Sequence, residues 1–198
     1  MRLSYRLRRA VAALALAIAS TSPALAHTGG VLGGGADGFV HPLLGLDHVV
    51  AMVAVGLWGA VLGAPGIWVL PIVFPLIMAG GGALGILGLP LPAAEIGIAA
   101  SAIVLGAMVA LAARPALWIA AVLVGAFAVF HGYAHGAELP PGTDATAYSV
   151  GFVVATGLLH LAGIAFGLAT RWPGGRLAVR TAGLAIAAVG VVAFSAMA

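Results

Sequence analysis

The segment HPLLGLDHVVAM, which begins at His41, carries two histidines and an aspartate at spacings that suit metal coordination. On a continuous helix with about 100° of rotation per residue, His41, His48 and Met52 share one stripe, and Gly45 leaves space between them. Two imidazoles and a thioether would then face the same way. Asp47 lies about 100° from that stripe, where its carboxylate can bind a metal beside His48 or orient a histidine.

A second segment, HGYAHGAE at 131–138, repeats this chemistry. His131 and His135 are four residues apart and Glu138 is three residues further on, so all three share one face of a helix. Two histidines at this spacing are a common pair of metal ligands. A zincin protease would need a glutamate directly after the first histidine, where this chain has Gly132. The segment therefore predicts metal binding without the general base of a hydrolase.

Other polar residues extend the set. Glu95 opens the third apolar run, and Thr156 and His160 are four residues apart in the fifth. His27 would carry both a free amine and an imidazole if a leader were cleaved after Ala26. The predicted metal ligands are His27, His41, Asp47, His48, Glu95, His131, His135, Glu138 and His160, with Met52 and Thr156 as accessory residues and no catalytic residue.

The composition around these residues is that of an integral membrane protein. Of the 198 residues, 63% are hydrophobic and only 7% are charged. Ionisable groups inside spanning helices are costly and usually mark an ion or substrate path. The chain has no cysteine, which excludes disulfides and thiolate metal ligands.

The first 26 residues are predicted to be a bacterial-type secretory signal peptide. Four arginines precede the apolar run AVAALALAIA, and the small residues Ala24 and Ala26 form a cleavage site. The alternative is an uncleaved anchor helix over residues 10–26. The leader holds half of the eight basic residues, so the mature chain lacks the basic surplus expected of a nucleic-acid-binding protein.

The remainder, residues 27–198, is predicted to be one all-α membrane domain, a bundle of six transmembrane helices of about 20 residues each. Arginines fall at the predicted cytoplasmic ends and acidic residues at the outer ends, as the positive-inside rule expects for the arginines. This predicts a multi-pass inner-membrane protein with its mature N-terminus and C-terminus in the periplasm. The predicted spans are 41–62, 67–89, 93–113, 115–135, 146–170 and 176–197.

Imidazole and carboxylate ligands without thiolate suit divalent nickel, cobalt, zinc or copper, and ligand type does not choose among these four. The ion would be cargo, and no prosthetic group is expected. Two alternatives to a transporter remain open. One is an intramembrane metalloenzyme with His131 and His135 as zinc ligands, and the other is a metal-sensing or structural membrane subunit.

Three segments closely resemble the HupE/UreJ family of hydrogenase and urease accessory membrane proteins: HPLLGLDHVVAMVAVGLWGA, FHGYAHGAELP and GFVVATGLLHLAG. The resemblance implies a permease that supplies nickel or cobalt to metalloenzymes, with copper or zinc as the alternative cargo. It implies partners in the divalent ion and the lipid bilayer, and it is compatible with a homo-oligomer or a metallochaperone partner. It implies metal-handling roles for His41, Asp47, His48, Glu95, His131, His135, Glu138 and His160.

Overall fold

Residues 34–197, the part of the chain that the computed structural model describes, form seven α-helices and one short 3₁₀ helix, with no strand among them. The prediction of an all-α fold is therefore confirmed for these residues. The predicted signal peptide and His27 lie outside the described residues. The helices are α1 (Gly34–Leu44), α2 (Leu46–Leu62), α3 (Gly66–Ile86), α4 (Ala94–Ala110), α5 (Leu117–Ala137), α6 (Ala145–Gly167) and α7 (Pro173–Ser195), and the 3₁₀ helix Leu168–Arg171 extends α6.

Four helices are long and apolar enough to cross a membrane: α3, α5, α7, and α6 with its 3₁₀ extension. The pair α1 and α2 passes the same test together and could form a fifth, broken span. Helix α4 is apolar but has only 17 residues. The multi-pass architecture is therefore supported, whereas the predicted number of six spans stays a prediction.

The predicted first span, 41–62, is not one continuous helix. Helices α1 and α2 meet at an angle of 83°, and Gly45 between them has an extended backbone with φ −87° and ψ 111°. Glycine is a poor helix former, and here Gly45 is the N-cap of the new helix. In the first turn, the Asp47 carboxylate accepts a hydrogen bond of 2.8 Å from the backbone N–H of His48. The predicted stripe of His41, His48 and Met52 is therefore wrong, because His41 lies on a different helix.

Glycines allow the helices that carry histidines to pack closely. A Cβ atom on Gly132 would collide with the carbonyl of Met78, which shows that α5 lies directly against α3. In the same way, a Cβ atom on Gly56 would collide with the carbonyl of His160, so α2 lies directly against α6. Small residues at such crossings let backbones approach, as in other membrane helix bundles. These crossings bring His131 beside α3 and His160 beside α2.

Two side-chain hydrogen bonds close one end of the bundle. Trp58 of α2 donates from Nε1 to the carbonyl of Ala113 at 2.9 Å, and Arg180 of α7 donates from Nε to the carbonyl of Ala110 at 2.7 Å. These bonds satisfy carbonyls left free at the C-terminal end of α4. Glu95 lies in the first turn at the opposite end of the same helix. Arg180 and Glu95 thus lie at opposite ends of α4, and which end faces the periplasm stays a prediction.

Candidate metal site

Three histidines from two helices meet inside the bundle. Nδ1 of His48 lies 3.1 Å from Nδ1 of His131 and 3.0 Å from Nε2 of His135. His48 and His131 are buried, with 3% and 0% of their surfaces exposed. We call His48, His131 and His135 the inner group.

The positions of these side chains follow from their helices. His131 and His135 are one turn apart in the last third of α5, so both side chains lie on one face of that helix, as the spacing predicted. His48 lies in the first turn of α2, directly after the bend at Gly45. The bend allows α2 to start beside α5, and it places the imidazole of His48 against both rings of the α5 pair.

A second group lies next to the first and shares His135 with it. His41, His135 and Glu138 each offer a ligand atom, and these atoms lie within 4.8 Å of one another. Nε2 of His41 lies 3.6 Å from Oε2 of Glu138, whose side chain is more than half exposed. We call these three residues the outer group. Because His135 belongs to both groups, the half-buried and the fully buried histidines form one continuous arrangement.

The other two predicted acidic ligands, Asp47 and Glu95, lie near the outer group but do not belong to it. The Asp47 side chain is half-buried and accepts the hydrogen bond from the backbone of His48. Glu95 is exposed at the start of α4, and the carboxylates of Glu138 and Asp47 are near enough to repel its charge. These three carboxylates form an acidic entrance to the histidines, because all of them lie at the same end of the bundle.

His160 and Thr156 lie deeper in the bundle and are almost completely buried, with 1% and 0% exposure. Oγ1 of Thr156 lacks a hydrogen-bond partner among the described residues. The His160 ring makes no well-formed hydrogen bond there either, although the backbone carbonyl of Pro71 lies near it. Buried polar atoms normally have a partner, so this pair on α6 is suited to a polar guest such as water or an ion. The ring of Phe74 separates the pair from the inner group, with its centroid 5.7 Å from that of His131 and 5.6 Å from that of His160.

Met52 is fully buried within the apolar core, one helical turn after His48. This position in the core is compatible with a packing residue as well as with a metal ligand.

Three residues that contact the histidines were not predicted from the sequence: Ser101, Phe152 and Phe74. Ser101 of α4 is completely buried, and its Oγ lies 2.8 Å from Nε2 of His131. The Phe152 ring packs against His135, with centroids 4.4 Å apart. A hydroxyl in the otherwise apolar run IAASAIVLGAM is a signal that could have pointed to Ser101, whereas single phenylalanines in apolar helices carry none.

A cavity of about 280 Å³ adjoins the shared histidine between α3, α5 and α6. His135, Tyr148, Ser149 and Phe152 form part of its wall, and the rest is mostly apolar. Nδ1 of His135 is buried and has no hydrogen-bond partner among the described residues. The described helices thus leave open space beside the residue that both groups share.

Comparisons with known proteins agree on one family. The family model described as HupE / UreJ protein matches residues 14–193. The chain is similar to Protein HupE of Rhizobium leguminosarum bv. viciae, with 44% identity over 174 residues, which cover 88% of this chain and 91% of that protein. No solved structure matches the chain.

Proposed function

This chain belongs to the HupE/UreJ family, and from that premise we propose that it is a permease for a divalent transition metal, nickel or cobalt. The single observation that carries the proposal is the meeting of His48, His131 and His135, from two helices far apart in sequence, inside a membrane bundle. Neutral imidazole is the commonest protein ligand of metals, and ionisable side chains inside a membrane bundle usually mark an ion or substrate path.

The distances within the inner group suit a metal of this kind. Nitrogen atoms that bind one metal at about 2.1 Å and at about 90° to each other lie about 3.0 Å apart. The nitrogen pairs of His48 with His131 and His135 lie 3.1 and 3.0 Å apart. Imidazole and carboxylate ligands without thiolate suit nickel and cobalt as well as copper and zinc. We prefer nickel or cobalt because of the family, and copper or zinc remains the alternative cargo.

The order of the groups suggests a path. The carboxylates of Asp47, Glu95 and Glu138 attract a cation to the entrance. His41, Glu138 and His135 bind it first, and the shared His135 passes it to the inner group. Beyond Phe74, the buried side chains of His160 and Thr156 supply the next contact.

Several weak sites in series suit transport better than one tight cage, because the ion must be released as well as bound. In the proposed orientation the outer group faces the periplasm, and the ion moves inward across the inner membrane. Residues 1–26 act as the signal peptide and 27–198 as the permease, with both mature termini in the periplasm. His27 and Met52 remain further ligand candidates, and a second copy or a metallochaperone remains a candidate partner.

The test is metal accumulation in bacterial cells that lack their own nickel and cobalt importers. Cells that express the wild-type chain should accumulate nickel or cobalt, measured by elemental analysis, and cells that express the His48→Ala variant should not. Ser195→Ala is the matched control, because the exposed Ser195 hydroxyl bonds only to the carbonyl of Val192 within its own helix. Membrane levels of all three proteins are compared by immunoblot.

The alternatives give different results in the same experiment. A metal-sensing or structural subunit would bind metal in purified form but leave the cellular metal content unchanged. An intramembrane metalloenzyme would also leave it unchanged. Wild-type cells with no gain in any divalent metal, despite protein in the membrane, would therefore contradict the permease proposal.

A further inference from the structure

We propose that Ser101 is a positioning residue that fixes which nitrogen of His131 carries the proton, and through His131 orders the protons on His48 and His135. The proton order follows from hydrogen-bond geometry alone. Only its consequence for metal affinity rests on the proposed function.

The first step is the single proton of the Ser101 hydroxyl. Its Oγ lies 2.6 Å from the carbonyl oxygen of Ile98 and donates to it. The same Oγ lies 2.8 Å from Nε2 of His131. Because the one hydroxyl proton is already donated, Oγ can only accept at this second contact. If Oγ donated to Nε2 of His131 instead, Oγ and the carbonyl oxygen of Ile98 would lie 2.6 Å apart with no proton between them. Nε2 of His131 therefore carries a proton.

The second step follows from the neutral form of an imidazole, in which one nitrogen donates and the other accepts. With the proton on Nε2, Nδ1 of His131 has a free lone pair, and it faces Nδ1 of His48 at 3.1 Å. Nδ1 of His48 therefore carries the proton of that ring. Nε2 of His135 lies 3.0 Å from both ring nitrogens of His48. Because Nδ1 of His48 already donates, only Nε2 of His48 can accept from Nε2 of His135.

The chain of donors ends at His135. If Nε2 of His135 donates, its Nδ1 has no proton, and this is the atom without a partner among the described residues. A buried lone pair without a donor is tolerated more readily than a buried N–H without an acceptor. The unpartnered Nδ1 of His135 is thus compatible with the proton order that begins at Ser101.

This order prepares Nδ1 of His131 for a metal. Of the three nitrogens that lie 3.0–3.1 Å apart in the inner group, it alone has a free lone pair before a metal arrives, whereas Nδ1 of His48 and Nε2 of His135 must lose or move a proton when the metal binds. Without the Ser101 hydroxyl, the proton of His131 could occupy either nitrogen, and one of the two states blocks the ligand atom. Removing a partner that orients a metal-binding histidine typically lowers metal affinity 10–100-fold.

The test uses the full chain, labelled with ¹⁵N-histidine and reconstituted without metal in lipid nanodiscs. The ¹⁵N shifts of the ring nitrogens, assigned by comparison with a His131→Gln variant, report which nitrogen is protonated. In the wild type, the proton should lie on Nε2 of His131. Ser101→Thr keeps the hydroxyl and should keep this signal. Ser101→Val has the shape of threonine without the hydroxyl and should lose this signal.

The same variants are then titrated with nickel and with cobalt. The metal concentration for half-maximal binding should rise 10–100-fold in Ser101→Val and stay within about threefold of wild type in Ser101→Thr. Ser195→Ala is the control, because Ser195 makes the same type of bond to a carbonyl three residues earlier and contacts no histidine.

Two outcomes would overturn the inference: a proton on Nδ1 of His131 in the wild type, or equal proton positions and metal affinities in Ser101→Val and Ser101→Thr. Because these two side chains have the same shape, a general packing defect would affect both equally and would count against the inference. If the wild type binds neither metal, the proposed function fails, while the ¹⁵N shifts still decide the role of Ser101.

Discussion

Nε2 of His135 lies 3.0 Å from both ring nitrogens of His48, although 87 residues separate the two histidines in the sequence. His135 also belongs to the group with His41 and Glu138. One imidazole therefore connects the exposed and the buried parts of the candidate site, and the first prediction concerns this connection.

Replacing His135 with alanine should remove metal uptake at every concentration, because both groups lose a ligand. Replacing His41 should have a smaller effect, since the inner group stays intact. We expect His41→Ala to raise the half-saturating metal concentration about tenfold, the lower end of the range for losing one contact at a metal site, with the maximal rate largely kept. Initial uptake rates of nickel across a concentration series measure both parameters. Equal loss in the two variants would show that the groups do not act in sequence.

Replacing Glu138 with glutamine should weaken metal capture while leaving the fold intact, because the side chain is exposed and glutamine keeps its shape. We expect the half-saturating concentration to rise by about 3–10-fold, since one charge near the entrance is lost. The effect should shrink as ionic strength increases. The control is Asp144→Asn, an exposed acid at the N-cap of α6 that accepts hydrogen bonds from Thr146 and Ala147. An equal change in Asp144→Asn would indicate a general surface-charge effect.

Uptake should fall as the outside pH drops through the histidine range, roughly from pH 7 to pH 5. A protonated imidazole cannot bind a metal, so protons and metal compete for the same nitrogens. Metal affinity should therefore increase as the pH rises. Metal binding to the purified chain, measured by calorimetry at several pH values, should also release protons to the buffer. Binding that is independent of pH over this range would contradict competition between protons and metal for these nitrogens.

Replacing Gly132 with alanine should destabilise the bundle, because the added Cβ atom would collide with the backbone carbonyl of Met78. Overpacking of this kind costs about 1–3 kcal/mol. Gly157→Ala is the matched control, since a Cβ atom at Gly157 in α6 would meet nothing within 4 Å. There we expect no loss, and a small gain from better helix propensity. The melting temperatures of the two purified variants test this, and equal values would contradict the close packing of α3 and α5.

Removing the cap at Asp144 should change stability without changing metal handling. The Asp144 carboxylate accepts from the backbone N–H groups of Thr146 at 2.9 Å and Ala147 at 3.1 Å. Losing an N-cap side chain costs about 0.5–2 kcal/mol. Asp144→Ala should therefore melt at a lower temperature than Asp144→Asn, and both should bind nickel with wild-type affinity. A loss of affinity in Asp144→Ala alone would assign this residue to the entrance.

The sequence by itself determined the features that depend on local periodicity. Apolar runs of about 20 residues predicted α3 to α7 within a few residues, because a bilayer fixes their length and composition, whereas the predicted first span is divided into α1 and α2. The pairing of His131 with His135 was equally predictable, since residues four apart always share a helical face. The helical bounds of α5 and the position of both histidines on it agree with these expectations.

The tertiary structure decided what no local pattern contains. The bend at Gly45 separates His41 from His48, and glycine in a sequence is compatible with a straight helix as well as with a break. The contact of His131 with Ser101 joins residues 30 positions apart, and it depends on how α4 packs against α5. Periodicity shows which face of a helix is polar, but only the packing of one backbone against another decides which polar faces meet.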